Sequence, residues 1–136
     1  MRDLGFEVMA PKMDYRDNPI LFEKTLDLVR GYQPQLIVGS SMGGYFAFHL
    51  GTHYKTNLLL LNPALPIRTI EPLISTDGSV KSKIWALVGV NDDIVPPNEN
   101  ISILERAGAK VSTGNHAHRT HRIVFEKFLR KVLLEI

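Results

Sequence analysis

Short aliphatic runs alternate with amphipathic stretches along these 136 residues, the pattern of a parallel sheet flanked by helices. Residues 6–10 read as a first strand, ended by Pro11. Leu21, Phe22, Leu26 and Val29 form an apolar stripe that predicts a helix over 18–30, with Asn18 as cap, Pro19 in its first turn and Gly31 as its stop. The compact run at 35–39 suits a buried central strand. A second helix follows over 42–53, then a third strand over 57–61 closed by Asn62-Pro63. Residues 64–81, with three prolines counting Pro63 and an Asp77-Gly78 turn signal, read as a loop with one short helix. A fourth strand over 83–90, a helix over 97–107 stopped by Gly108, a fifth strand over 109–113 and a helix over 119–134 complete the chain. The fold class is α/β: a mostly parallel sheet of about five strands with flanking helices. No repeat or linker divides it, so residues 1–136 form one domain without a cap domain.

Composition narrows the function. The net charge of +2 and the absence of any basic block exclude the usual electrostatic footprint of a nucleic-acid binder. With no cysteine, disulfides, thiolate zinc sites and a cysteine nucleophile are excluded together. The N-terminal residues carry no apolar stretch of the signal-peptide kind, and the purely apolar run at 58–61 is far too short to span a membrane. The expectation is a cytoplasmic protein that binds neither nucleic acid nor membrane.

Candidate chemistry sits after the second strand. Gly39-Ser40-Ser41-Met42-Gly43-Gly44 fits G-x-S-x-G with Ser41 at its centre. A serine on a very tight strand-to-helix turn holds strained backbone angles, and side chains two residues to either side would collide with the turn. Glycine at 39 and 43 removes those Cβ atoms, and Gly44 extends the small-residue turn. The Met42 backbone N–H, at the start of the following helix, is the expected oxyanion donor. Chance alone gives such a match at about 4%. The flanking strand and helix supply the context that makes it meaningful. Two glycines opening a helix otherwise cost about 1 kcal/mol each, and the bland reading of a tight turn with close helix–sheet packing has to absorb that cost.

A nucleophilic serine requires a base, and the base an orienting carboxylate, in chain order Ser, acid, His at the ends of successive strands. The fourth strand runs into Gly89-Val90-Asn91-Asp92-Asp93, and the fifth into Gly114-Asn115-His116-Ala117-His118. A carboxylate and an imidazole thus both appear where that order requires them, with Asp92 and Asp93 competing for the acid. His118 and His121 lie near His116 but have no carboxylate or cysteine at ligand spacing, so no metal is expected. His49 and His53, one helical turn apart, read as helix-surface residues. Arg119 and Arg122 read as a solvated helix start, with an anionic group of an acyl carrier as the alternative contact. Leu65, Ile67, Ile70, Leu73 and Ile74 are divided between core and the lining of an open acyl pocket.

These motifs carry a resemblance. Gly-Ser-Ser-Met-Gly-Gly-Tyr, Asn62-Pro63-Ala64 and Gly114-Asn115-His116-Ala117 together resemble the α/β-hydrolases, most closely the small YqiA-like bacterial esterases. Residues 89–96 match that superfamily's acid loop, G-x-x-D-x-x-V-P, with Asp92 in the acid position. The resemblance implies Ser41, Asp92 and His116 as the triad, and hydrolysis of a small-molecule carboxylic ester or thioester without a cofactor.

The pattern departs from that superfamily at the front. Residues 1–6 read as the end of a helix, and the preceding strand and loop, source of the second oxyanion N–H, do not precede them. Losing such a donor costs about 3 kcal/mol. The unfilled place in the sheet leaves homo-oligomerisation through an open edge as an expectation. Two other functions compete: a non-catalytic hydrolase-like binding module that has lost its oxyanion loop, and a nucleotide-binding domain. The latter is disfavoured because the turn has neither G-x-G-x-x-G nor a G-K-[ST] ending.

Overall fold

The computed structural model describes residues 4–15, 18–66, 80 and 82–136. Four strands, β1 (Leu36–Ser40), β2 (Asn57–Leu61), β3 (Lys83–Gly89) and β4 (Lys110–Gly114), form one parallel sheet in the order β1-β2-β3-β4. Four helices accompany them: α1 (Leu21–Tyr32), α2 (Met42–His53), α3 (Pro97–Arg106) and α4 (Arg122–Leu133).

The expected strand at 6–10 is not part of this sheet, which has four strands rather than five. Residues 6–10 belong to no helix or strand, with Phe6 and Val8 half-buried and Glu7 and Met9 exposed. Alternation of burial alone does not make a strand of a sheet. Instead the segment passes the end of α1, where Tyr32 Oη donates to Glu7 Oε1 at 3.3 Å. Of the helix end expected at 1–6, residues 1–3 lie outside the described residues; Leu4 sits in a short helical turn and Gly5 has φ +85°. The loop expected at 64–81 likewise falls mostly outside the described residues, as do Ile67, Ile70, Leu73 and Ile74; Leu65 is core.

Helix boundaries differ from expectation for local reasons. Asn18 Oδ1 accepts from the Ile20 N–H at 3.2 Å, so Asn18 organises the approach and the helix starts at Leu21. Gly31 does not stop α1. The chain turns at Gln33, left-handed at φ 56°, because Pro34 follows and cannot continue a helix. α4 starts at Arg122 rather than at 119: the His118 carbonyl and Thr120 Oγ1 are bonded to the Asn62 amide, and His121 is extended at φ −67° and ψ 151°.

The two sheet faces take opposite strand parities. Leu58, Leu60, Ile84, Ala86 and Val88 pack against α1, α2 and α3, and Leu59, Leu61, Trp85 and Leu87 pack under α4 through Phe128, Leu129 and Val132. α2 is buried on almost every side, which its near-continuous apolar sequence Tyr45–Phe48 requires. His49 and His53 are not free helix-surface residues: both are half-buried, with His49 4.5 Å from the Tyr45 ring and His53 5.8 Å from that of Phe22. At the end of α4, Trp85 Nε1 donates to Glu135 Oε2 at 2.6 Å, and Lys110 Nζ approaches the same oxygen at 3.1 Å. The bond from Trp85, then that from Lys110, holds the Glu135 carboxyl below its ordinary value. Among the described residues no helix is long and apolar enough to cross a membrane.

Candidate active site at the carboxyl ends of the strands

Parallel strands bring all their C-terminal ends to one edge, and the loops leaving that edge carry the polar residues of interest. Ser41 stands between β1 and α2 with φ 54° and ψ −117°, a conformation that an L-residue holds only under strain of about 1–3 kcal/mol. Neighbouring backbone fixes it there: its N–H donates to the Leu61 carbonyl at 3.0 Å, and its own carbonyl accepts from Ala64 N–H at 2.9 Å. Met42 is the first residue of α2, so the positive end of that helix dipole faces the Ser41 turn.

The glycines around the turn differ in what they allow. A Cβ on Gly39 would lie 2.3 Å from the Gly43 carbonyl oxygen, and one on Gly44 would lie 2.7 Å from Pro63 Cβ. A Cβ on Gly43 would meet only Tyr15 Oη, at 3.5 Å, an ordinary contact. Gly39 is therefore demanded by the turn as expected. The second steric requirement falls on Gly44 rather than Gly43, because α2 must approach the Asn62-Pro63 segment closely.

Asp92 follows β3 and is the buried member of the Asp92-Asp93 pair, Asp93 being exposed. Asp92 Oδ1 accepts the Ile94 and Val95 N–H groups at 2.8 and 2.9 Å, and Oδ2 lies 2.8 Å from His118 Nδ1. Burial by itself pushes the Asp92 carboxyl up. The hydrogen bonds from His118, Val95 and Ile94, with the attraction of His118, outweigh burial and hold it below its ordinary value.

His118, not His116, meets Ser41. Its Nε2 is 2.9 Å from Ser41 Oγ. With Asp92 ionised, Nδ1 carries the proton, so Nε2 is the acceptor for the serine hydroxyl. His116 is turned elsewhere: its Nδ1 is 2.9 Å from the Ala117 carbonyl, and Nε2 is buried with no partner among the described residues. Its ring lies over Gly89 and Gly114, register partners on β3 and β4, where added Cβ atoms would come within 2.5 Å and 2.6 Å of it.

The reason is reach. Ser41 follows β1 and the histidine loop follows β4, three strand spacings away. At about 4.8 Å per spacing the loop has roughly 14 Å to cross, and an extended chain advances about 3.3 Å per residue. Two residues past Gly114, His116 has crossed about half that distance. Four residues past it, His118 completes the span.

Sequence reasoning also underrated Asn62, seen only as half of an Asn-Pro pair. Asn62 is fully buried and left-handed at φ 41°, and its side chain bonds to the loops carrying both Asp92 and His118. An amide side chain at the C-terminal end of a central strand was the available signal.

A cleft of about 520 Å³ opens beside Ser41 and His118, with Val38, Leu61 and Phe125 as its apolar wall and Arg119 and Arg122 at its rim. Arg119 is exposed, and Arg122 Nε is held 2.8 Å from Glu126 Oε1. Among the described residues no three His, Asp or Glu side chains gather as a metal site.

The sequence profile of the uncharacterised protein family UPF0227 matches residues 1–93. The chain belongs to the UPF0227 family. No curated protein sequence matches it. Among solved structures, a candidate YdeN-like hydrolase from Pectobacterium atrosepticum superposes with a TM-score of 0.71 at 15% identity, over 96% of this chain and 76% of the other. A candidate hydrolase of the α/β superfamily from Xanthomonas campestris gives 0.68 at 19% identity, over 85% of this chain and 66% of its own. An α/β serine hydrolase homologue from Coxiella burnetii gives 0.60 at 18%, over 96% and 63%. The chain thus spans just under two thirds of the length of the last two. This UPF0227 member has the α/β-hydrolase fold.

Proposed function

We propose that the chain is a serine hydrolase that cleaves a small carboxylic ester or thioester through an acyl-enzyme on Ser41. One observation carries the reading: the His118 imidazole lies between Ser41 Oγ at 2.9 Å and Asp92 Oδ2 at 2.8 Å. In this arrangement Ser41 Oγ attacks the substrate carbonyl while His118 Nε2 takes its proton. Asp92 holds the ring's tautomer and stabilises the imidazolium that forms. His118 then returns the proton to the departing alcohol or thiol, and water repeats the cycle on the acyl-enzyme. The Met42 N–H, at the head of α2, is the proposed donor to the oxyanion, and the apolar wall of the cleft suits an acyl chain.

Treatment with a fluorophosphonate probe and intact-mass measurement tests the reading without knowledge of the substrate. One adduct is expected on the native chain and none on Ser41→Ala. A folded native chain that takes no adduct would favour the non-catalytic binding module.

A further inference from the structure

A single short strap touches every loop of the site. The amide of Asn62 is fully engaged: Oδ1 accepts the Gly89 N–H at 2.7 Å, while Nδ2 donates to the His118 carbonyl at 2.6 Å and to Thr120 Oγ1 at 3.2 Å. Its backbone N–H donates to the Leu87 carbonyl at 3.0 Å. The residues beside it grip the serine, since the Leu61 carbonyl accepts Ser41 N–H, Ala64 N–H donates to the Ser41 carbonyl, and Pro63 lies against Gly44. Gly89 in turn starts the acid turn, its carbonyl accepting Asp92 N–H at 3.1 Å.

His118 stands four residues beyond β4, where no sheet ladder fixes the backbone. The Asn91 N–H holds the loop at the His116 carbonyl, at 3.1 Å, and the Asn62 amide holds it at the carbonyl of His118 itself. We propose that Asn62 is a positioning residue that sets the spacing of Ser41, His118 and Asp92 by tying the base loop and the acid turn to the end of β2. The inference rests on the reading of Ser41 as nucleophile. It goes beyond that reading in assigning the geometry of the site to a side chain that touches no reacting atom. The left-handed φ at Asn62 fits this role, because asparagine tolerates that backbone and also brings a donor and an acceptor to the same point.

The test uses Asn62→Asp, which keeps the acceptor for Gly89 but replaces the donor with oxygen. Because a buried carboxylate can unfold a chain, Asn62→Ser, too short to span to His118, is measured beside it. Hydrolysis of p-nitrophenyl acetate is expected to lose about 10²-fold in kcat with KM nearly unchanged, as for a misplaced catalytic group. A second readout is the low-field proton resonance of His118 Nδ1–H in its bond to Asp92, recorded in a Ser41→Ala background that cannot turn over. It is expected in the parent and lost or shifted in the Asn62 variants. A folded Asn62 variant with parental kcat and an unmoved resonance would overturn the proposal. Failure of the native chain to react with the probe would instead sink the nucleophile reading, while the resonance would still decide the role of Asn62.

Discussion

His118 Nε2 lies 2.9 Å from Ser41 Oγ although 77 positions separate the two residues in sequence. Nothing local brings them together. The distance is set by the register of four parallel strands, by the length of the loop after β4 and by the side chain of Asn62 between them. This makes the pair a sensitive reporter of the whole carboxyl edge of the sheet.

The two neighbouring histidines are expected to separate cleanly by mutation. His118→Ala should lower kcat/KM for an activated ester by about 10³-fold or more, as the base is lost. His116→Ala should retain turnover within about tenfold, since its ring faces Gly89 and Gly114 rather than Ser41. Steady-state kinetics on the two variants check this, and the reverse ranking would return the base to His116.

Asp92 is expected to tie activity and acid stability to one carboxylate. Asp92→Asn should reduce kcat by about 10³- to 10⁴-fold, whereas Asp93→Asn, at an exposed position, should leave it nearly unchanged. Because the folded-state value of Asp92 is depressed, its contribution to stability is present above the unfolded-state value. It is lost as the pH falls below about 4 and through the lower folded-state value. Urea midpoints measured from pH 7 to pH 3 should fall less steeply for Asp92→Asn than for the parent.

Strain at Ser41 has its own signature. Alanine at this position keeps the Cβ that the backbone disfavours, while glycine relieves it. Ser41→Gly should therefore be more stable than Ser41→Ala by about 1 kcal/mol, both being inactive. Equal denaturation midpoints would mean that the turn is unstrained.

The glycines should rank by what a methyl group meets. Gly39→Ala and Gly44→Ala, pressed against backbone at 2.3 Å and against Pro63 at 2.7 Å, should each lose about 1–3 kcal/mol or fail to fold. Gly43→Ala should be tolerated within about 1 kcal/mol, the cost or gain of an alanine in a helix. Thermal unfolding of the three variants decides the order.

One-sided burial made the amphipathic helices legible through the spacing of Leu and Val, and burial on both faces made the strands β2 and β3 legible as short continuous apolar runs. Periodicity misread residues 6–10, which alternate in burial but form no strand of the described sheet. The tight turn at Ser41 is legible because such turns require glycine, and the place of Asp92 at the carboxyl end of β3 because a short loop follows that strand. His116 was preferred to His118 because the choice depends on how far a loop must travel across the sheet, a distance between strands that adjacency in sequence does not encode. Asn62 was undervalued for the same reason: its partners Gly89 and His118 lie 27 and 56 positions away.

The anchoring of Trp85 under α4 has an optical consequence. It is the chain's one tryptophan, 6% exposed, with its indole N–H bonded to Glu135. All tryptophan emission therefore originates beneath the final helix, and its colour reports whether that helix is seated. Ser41, His118 and Asn62 take no part in the hydrogen bond between this indole and Glu135. Fluorescence and turnover thus give two independent windows on one molecule, one on the packing of a helix against the sheet and the other on the alignment of its reacting groups.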